Sequence, residues 1–132
     1  MVKHPQPSDL ELQVLAVLWK TGPTTARRVM DSLPDKKKRA YTTILTVMQV
    51  MERKGLVRHT RDGMANVYEP TVTRGQVMRP IMRGWVTKIF GGSPSAAVQQ
   101  LLSETEIDEA ELAKIQAIVK EFGGNSGKGK QS

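Results

Sequence analysis

The chain has 132 residues, of which 39% are hydrophobic and 25% charged, with a net charge of +7, which suits one compact domain with an appended element and excludes wholesale disorder. Because it contains no cysteine and its two histidines are isolated in the sequence, disulfides, thiolate nucleophiles and Cys-ligated metals are excluded and no metal site is expected. The longest apolar run, Val14–Trp19, is too short for a membrane span, and Met1–Ser8 lacks the apolar stretch of a secretory signal, so we expect a cytoplasmic protein without membrane insertion.

A capping-box pattern marks the first helix. Ser8 and Glu11 have the spacing at which a hydroxyl and a carboxylate satisfy the first free N–H groups of a helix. We therefore expect a helix to begin near Asp9 and to end at Gly22.

Two more helices are predicted before the chain turns to β-prone sequence. Thr24 or Thr25 caps a short amphipathic helix. The next helix extends from about Tyr41 to Lys54, and Gly55 is placed to adopt the left-handed conformation after its last turn.

A β-hairpin follows the third helix. Two short β-prone runs, Leu56–Arg61 and Ala65–Pro70, flank a turn at Asp62-Gly63. The order helix, helix, helix, hairpin is that of a winged helix-turn-helix, so the expected fold class is mainly α with a small β-hairpin, or α+β.

The C-terminal part predicts further helices. A long helix after Thr73 carries an apolar stripe from Val77 to Phe90, and Pro80 within it predicts a kink or a delayed start. Ser93-Pro94 opens another helix as cap and first residue.

The last helix is expected from Glu109 to Phe122, capped by Asp108. Residues 123–132 are rich in glycine and polar side chains and predict a flexible tail. The expected organisation is a winged helix-turn-helix domain over residues 1–72, a separate group of helices over 73–122, and this tail over 123–132.

The third helix has a polar face that suits the reading of DNA bases. Its apolar positions predict that the opposite side carries short hydroxyls and an amide, which can approach base edges in the major groove. The predicted base-reading residues are Thr42, Thr43, Thr46 and Gln49. A plain solvent-facing surface is the alternative, although threonine is a poor helix former for such a face.

Basic residues surround that helix. Residues 1–75 carry thirteen basic and seven acidic side chains, a net charge of +6, whereas residues 76–132 carry seven and six. Such flanks contact phosphates and position a helix in the groove. The predicted contacts to the DNA backbone are Lys38, Arg39, Tyr41, Arg53, Lys54, Arg58 and Arg61.

The sequence also resembles a known family, the BlaI/MecI (penicillinase-repressor) group of bacterial winged-helix transcription repressors. The resemblance covers residues 8–122 and is carried by the segments SDLELQVLAVLW, AYTTILTVMQVMERKGLV and RDGMANVYEP. It implies a homodimer that binds a palindromic operator in double-stranded DNA, with Tyr41, Thr42, Thr43 and Thr46 on the recognition helix and the Asp62-Gly63 turn at the wing tip.

The resemblance also places the dimer interface in the C-terminal helices, where the segment GGSPSAAVQQLLSE matches the family's pattern. Independently, the apolar stripes of this region are wider than a small winged domain can cover. The predicted dimerisation residues are Val77, Ile81, Met82, Trp85, Ile89, Phe90, Leu101, Leu112, Ile115 and Val119.

Two switches known in the family differ here. A membrane-bound sensor protease cuts some members between Asn and Phe, but the aligned residues of this chain are Gln100 and Leu101, so proteolytic inactivation at this pair stays open. The paired cysteines of the copper-responsive branch are absent, which excludes copper sensing by that route.

Other functions find less support. The chain has no catalytic motif and no phosphate-binding glycine loop, so we expect neither an enzyme nor a cofactor. The remaining alternative is a winged-helix module that binds another protein instead of specific DNA. Because binding through several phosphates weakens steeply with salt, salt dependence separates the two.

Overall fold

The computed structural model describes residues 6–129, with side chains up to Gly124. Within that range the chain forms six helices and one three-stranded antiparallel sheet. The elements in chain order are α1 (Asp9–Thr21), β1 (Thr24–Thr25), α2 (Ala26–Asp31), α3 (Tyr41–Arg53), β2 (Val57–Asp62), β3 (Ala65–Pro70), α4 (Arg74–Lys88), α5 (Pro94–Glu104) and α6 (Glu109–Gly129). This confirms the α+β class and the element order of a winged helix-turn-helix.

Side-chain caps set the starts of four helices where the sequence predicts them. The Ser8 hydroxyl accepts from the Glu11 N–H at 3.2 Å, and the Glu11 carboxylate accepts from the Ser8 N–H at 2.9 Å. Thr25, Ser93 and Asp108 cap α2, α5 and α6 through their side-chain oxygens. These caps satisfy N–H groups that have no partner within the helix.

The strand β1 is a feature that the sequence analysis missed. Thr24 and Thr25 pair antiparallel with Tyr68 and Val67 of β3, so β3 is the central strand of the sheet. A strand of two residues is too short to produce an alternating pattern in the sequence. It fastens the segment between α1 and α2 to the hairpin.

The hairpin turn lies one residue later than expected. Asp62 is the last residue of β2 and pairs with Ala65, so the turn consists of Gly63 and Met64. Gly63 has a φ of 63°, a conformation that suits glycine in a two-residue hairpin turn. The tip therefore exposes Met64, with 92% of its surface accessible.

The helix α4 begins at Arg74 despite Pro80 in its interior. Of the two effects expected of Pro80, a kink or a delayed start, the delayed start is therefore wrong. The cause is a second capping box. The Thr73 hydroxyl accepts from the Gln76 N–H at 3.1 Å, and the Gln76 side chain accepts from the Thr73 N–H at 2.9 Å. This box supports the first turn, where Val77 is also buried.

The helix α6 extends to Gly129, beyond the end expected at Phe122. The Gly123-Gly124 pair lowers helix propensity by about 1 kcal/mol per residue but does not forbid the helical backbone. Residues 130–132 of the expected tail lie outside the described residues.

The chain divides into two compact units, the first ending at Met82 and the second beginning at Arg83. Met78 and Ile81 pack against the core of the first unit, and for that reason this unit extends beyond the domain boundary expected at residue 72. All buried apolar side chains of residues 6–124 lie in the first unit, namely Val14, Leu15, Val17, Leu18, Ala26, Val29, Leu33, Ile44, Met48, Met51, Leu56, Val57, Tyr68, Val72 and Val77.

Candidate nucleic-acid interface

The helix α3 presents a polar face to the outside because its other face is held in the core. Ile44, Met48 and Met51 recur at helical spacing and are fully buried. The four residues predicted to read bases are all exposed, namely Thr42, Thr43, Thr46 and Gln49. Burial of the apolar stripe therefore fixes the rotation of α3 about its axis and leaves this polar surface accessible.

The beginning of α3 is electropositive. The cap residue Ala40 offers no side-chain acceptor, and the first turn contains no acidic residue, so the positive end of the helix dipole is not neutralised there. The half-buried ring of Tyr41 lies under the guanidinium of Arg27, at 4.4 Å from the ring centroid. This cation–π contact joins α2 to the start of α3 and adds a charge that the sequence analysis did not assign to the site.

Three of the cations predicted to contact phosphates are exposed and, among residues 6–124, form no ion pair: Lys38, Arg53 and Arg61. Lys38 precedes α3 and Arg53 is its last residue. Arg61 lies beside the hairpin turn, where its Nε donates to the carbonyl oxygen of Gly63 at 3.3 Å. These cations thus come from the start of α3, its end and the wing.

Three other predicted phosphate contacts are already paired with carboxylates. Arg39 binds Asp35 at 2.7 Å, Lys54 binds Glu11 at 2.8 Å, and Arg58 binds Glu69. These partners neutralise much of the charge that the basic residues would offer to DNA. The sequence gives little warning of the Lys54 pairing, since Glu11 and Lys54 are 43 residues apart.

The Lys54–Glu11 pair is a structural contact between the end of α3 and the start of α1. Glu11 is only 5% exposed, and both of its oxygens accept from the Lys54 ammonium, at 2.8 and 3.1 Å. The same carboxylate completes the capping box of α1. Removing one member of such a pair leaves a buried charge without its partner, which destabilises a fold more than an exposed pair stabilises it.

A polar contact also attaches the hairpin to α3. The Nδ1 atom of His59 on β2 lies 2.7 Å from a carboxylate oxygen of Glu52 on α3. The His59 ring also lies near Tyr68, with 5.5 Å between the ring centroids. This surface contact therefore fixes the hairpin to α3 beside the buried Tyr68.

The predicted dimerisation residues fall into three groups. Val77 is buried in the core of the first unit and Ile81 packs against it, so Val77 has no surface to offer a partner. Phe90 and Ile115 are half-buried within the second unit. The exposed members are Met82, Trp85, Ile89, Leu101, Leu112 and Val119, with 41% to 68% of their surface accessible.

Gln100 and Leu101, aligned with a protease cut site, lie in the interior of α5 and are both exposed. The Gln100 amide donates to Glu104 at 3.2 Å, one helical turn further along. A protease would have to unwind this helix to reach the bond between them.

Two further classes of site receive no support from residues 6–129. No described helix is both long and apolar enough to cross a membrane. No three histidine, aspartate or glutamate side chains of the described chain are grouped as metal ligands.

Sequence comparison relates nearly the whole chain to a known protein family. The family model for the penicillinase repressor matches residues 7–121. The transcriptional regulator BlaI of Mycobacterium tuberculosis is 33% identical over 116 residues, covering 86% of this chain and 84% of that protein. The penicillinase repressor of Bacillus licheniformis is 25% identical over 121 residues, with 92% and 94% covered.

Among solved structures, monomeric Bacillus licheniformis BlaI in complex with the blaP half-operator is 32% identical, with 57% of this chain and 92% of that chain covered and a TM-score of 0.48. The family assignment itself rests on the sequence comparisons, which span nearly the whole chain. This chain belongs to the penicillinase repressor (BlaI/MecI) family.

Proposed function

We propose that this protein is a DNA-binding transcriptional repressor that binds a palindromic operator as a homodimer. One observation carries the proposal: α3 exposes Thr42, Thr46 and Gln49 on a single face while its opposite face is locked in the core. Family membership supports the same function, because two matching relatives are named as a transcriptional regulator and a penicillinase repressor.

The polar face of α3 reads the major groove. The hydroxyl and methyl groups of Thr42, Thr43 and Thr46 are short enough for the helix to approach base edges closely, and the Gln49 amide both donates and accepts, as recognition of adenine requires. Helix-turn-helix proteins use this docking, with the N-terminal part of the second helix nearest the bases.

Lys38, Arg53 and Arg61 hold the DNA backbone around that helix. Such contacts carry no sequence information, but they fix the register of the helix on the duplex. Each neutralised phosphate also releases counterions, so binding must weaken as salt rises. The paired Arg39, Lys54 and Arg58 contribute less to this dependence than the unpaired three.

The second unit forms the dimer. Its apolar stripes include Trp85, Ile89 and Val119, which are between 46% and 68% exposed in the single chain. A two-fold dimer would cover these surfaces and place two reading helices on two related half-sites, and this arrangement requires a palindromic operator.

The protein acts by occupying DNA, and this function requires no catalytic residue. It works in the bacterial cytoplasm, which holds the chromosome. A sensor protease is not needed for this function. Gln100 and Leu101 lie within α5, and this helical position does not favour cleavage of the bond between them.

The decisive experiment compares the loss of a residue proposed to contact bases with the loss of a residue proposed to contact phosphates. A duplex selected by the wild-type chain from a random library serves as the operator. Thr46→Ala should lose about 1–3 kcal/mol of discrimination at one or two base pairs while binding to unrelated duplexes stays unchanged. Arg61→Ala should weaken all duplexes alike and lower the slope of log affinity against log salt by about 0.9.

Thr87→Ala is the matched control, because Thr87 is an exposed threonine within α4, outside the proposed interface. It should leave sequence preference and salt slope unchanged. If Thr46→Ala keeps the wild-type sequence preference, α3 does not read the bases. If the wild-type chain selects no sequence and its binding ignores salt, the protein–protein module is the better description.

A further inference from the structure

The loop between α2 and α3 concentrates positive charge directly before the reading helix. Lys36, Lys37 and Lys38 are consecutive and exposed. Lys36 has a φ of 60°, the left-handed backbone region that non-glycine residues rarely adopt. A loop with three adjacent charges and one unfavourable backbone conformation keeps a single shape only if other contacts determine it.

One carboxylate supplies those contacts. Asp35 receives two hydrogen bonds from the Arg39 guanidinium, at 3.0 and 2.7 Å, and one from the Lys37 N–H at 3.0 Å. These bonds close the loop on both sides of Lys36. We call the hydrogen-bonded group of Asp35, Lys37, Arg39 and Gln13 the Asp35 clip.

Gln13 ties the clip to the core of the first unit. Its amide nitrogen donates to the Asp35 carboxylate at 3.0 Å, and its amide oxygen accepts from the Asp35 N–H at 3.2 Å. Gln13 lies on α1, between the buried residues Glu11 and Val14, so its backbone is fixed. The basic loop is thereby anchored to a rigid helix 22 residues earlier in the chain.

The clip also removes one cation from the DNA-facing set. The Arg39 side chain is only 17% exposed and both of its terminal nitrogens are bound to Asp35. Hydrogen bonds from Arg39, and then from Lys37 and Gln13, hold the pKa of the Asp35 carboxyl well below its usual range, while Asp35 raises the pKa of Arg39.

We propose that Asp35 is a positioning residue for DNA recognition, which fixes the loop so that Lys37 and Lys38 meet the DNA backbone in one arrangement and withholds Arg39 from the phosphates. This inference rests on the proposed function. A preordered loop pays less conformational entropy on binding than a mobile one, but only a duplex in the correct register benefits from it. The clip therefore raises specificity more than affinity.

The test uses the full chain and two matched substitutions. Asp35→Ala and Asp31→Ala each remove one negative charge close to the loop, but Asp31 is exposed at the end of α2 and takes no part in the clip. Affinities are measured for the selected operator and for a duplex of the same composition in scrambled order, at several salt concentrations.

We expect Asp31→Ala to strengthen binding to both duplexes alike and to keep their affinity ratio, because a lost negative charge acts without regard to sequence. Asp35→Ala should lower the ratio about tenfold, the effect of reordering one or two long side chains on binding. The released Arg39 should also increase the salt slope on the scrambled duplex by about 0.9.

Gln13→Ala is the second variant, since it removes the anchor to α1 without a change in charge. It should lower the affinity ratio in the same direction and leave the salt slope unchanged, even if Asp35→Ala fails to fold. If Gln13→Ala and Asp35→Ala both keep the ratio of Asp31→Ala, the clip has no positioning role. If the wild-type chain itself does not prefer the operator, the proposed function fails instead.

Discussion

The two units of the chain differ in how much of their apolar side-chain surface is buried. In the first unit, three helices, a small sheet and the beginning of α4 bury fifteen apolar side chains around Leu15, Met48 and Tyr68. In the second unit, no described side chain is buried, and Ile89, Val119 and Phe122 are between 63% and 71% exposed. A stable fold needs a buried core, so the first unit carries its own stability. We propose that the second unit acquires its stability from a second copy of the chain.

The same contrast separates the residues proposed to contact DNA from those proposed to form the dimer. The residues proposed to meet DNA, such as Thr46 and Arg61, all lie in the self-sufficient unit. The residues proposed for dimerisation and still exposed, such as Trp85 and Leu101, begin at the unit boundary with Met82. We therefore expect a chain without its second unit to keep its sequence preference.

The strongest test of this difference between the two units is a shortened chain that ends at Met82 and so lacks the second unit. We expect it to fold as a monomer, because Val77 and Ile81, which pack in the first unit, are retained. Its affinity for the full palindrome should fall about 1,000-fold, since two linked binding modules gain about 10²–10⁴ in avidity.

Sedimentation and a titration with fluorescent duplex check both parts of this prediction. The affinity for a single half-site should stay within about twofold of the value for one arm of the full protein. Full affinity for the palindrome from the shortened chain would show that the second unit does not provide the dimer.

A matched pair of leucines sharpens the comparison. Leu15 is fully buried and Leu101 is 60% exposed. Leu15→Ala should lower the free energy of unfolding by about 3 kcal/mol at every protein concentration, since it removes buried contacts and leaves a cavity.

Leu101→Ala should change the free energy of unfolding by less than about 0.5 kcal/mol at dilutions where the chain is monomeric. Its cost should appear only as concentration rises, because dimerisation stabilises by mass action. Urea unfolding at two concentrations separates these outcomes. An equal cost for Leu101→Ala in the dilute monomer would mean that the second unit has a core of its own.

Local signals explain most of what the sequence predicted. A capping box such as Ser8 and Glu11, or a glycine after a helix such as Gly55, acts within a few residues and leaves a readable pattern. The burial period of α3 is equally local, so the exposed threonine face could be predicted. The capping box of Thr73 and Gln76 is an equally local pattern, and it sets the start of α4 six residues before Pro80.

Partners that are distant in sequence explain what was not predicted. Nothing near Lys54 in the sequence announces its pairing with Glu11, and nothing near Asp35 announces Gln13. Arg39, Lys54 and Arg58 were therefore assigned to DNA, although the fold pairs each of them with a carboxylate. Only Arg39 had a readable partner, because Asp35 precedes it by four residues.

The smallest expected effect is a dependence on alkaline pH that belongs to the first unit alone. Tyr68 is 2% exposed, and burial, partly opposed by a hydrogen bond from Asn66, raises the pKa of its phenol above the ordinary value of 10.0. The folded chain then keeps the phenolic proton at pH values where the unfolded chain has lost it. This contribution to stability is complete below pH 10.0 and is lost as pH rises through the raised folded pKa.

Urea unfolding of the wild type and Tyr68→Phe over about pH 8 to 11 measures this contribution. The difference in unfolding free energy between the two proteins should be constant at the lower end and should then shift in favour of Tyr68→Phe, since phenylalanine has no proton to lose. The chain ending at Met82 should show the same shift, because Tyr68 and its surroundings lie in the first unit. Curves for wild type and variant that stay parallel up to the highest pH would mean that the Tyr68 hydroxyl reaches solvent when it ionises, and that the core of the first unit is less closed than its side-chain burial indicates.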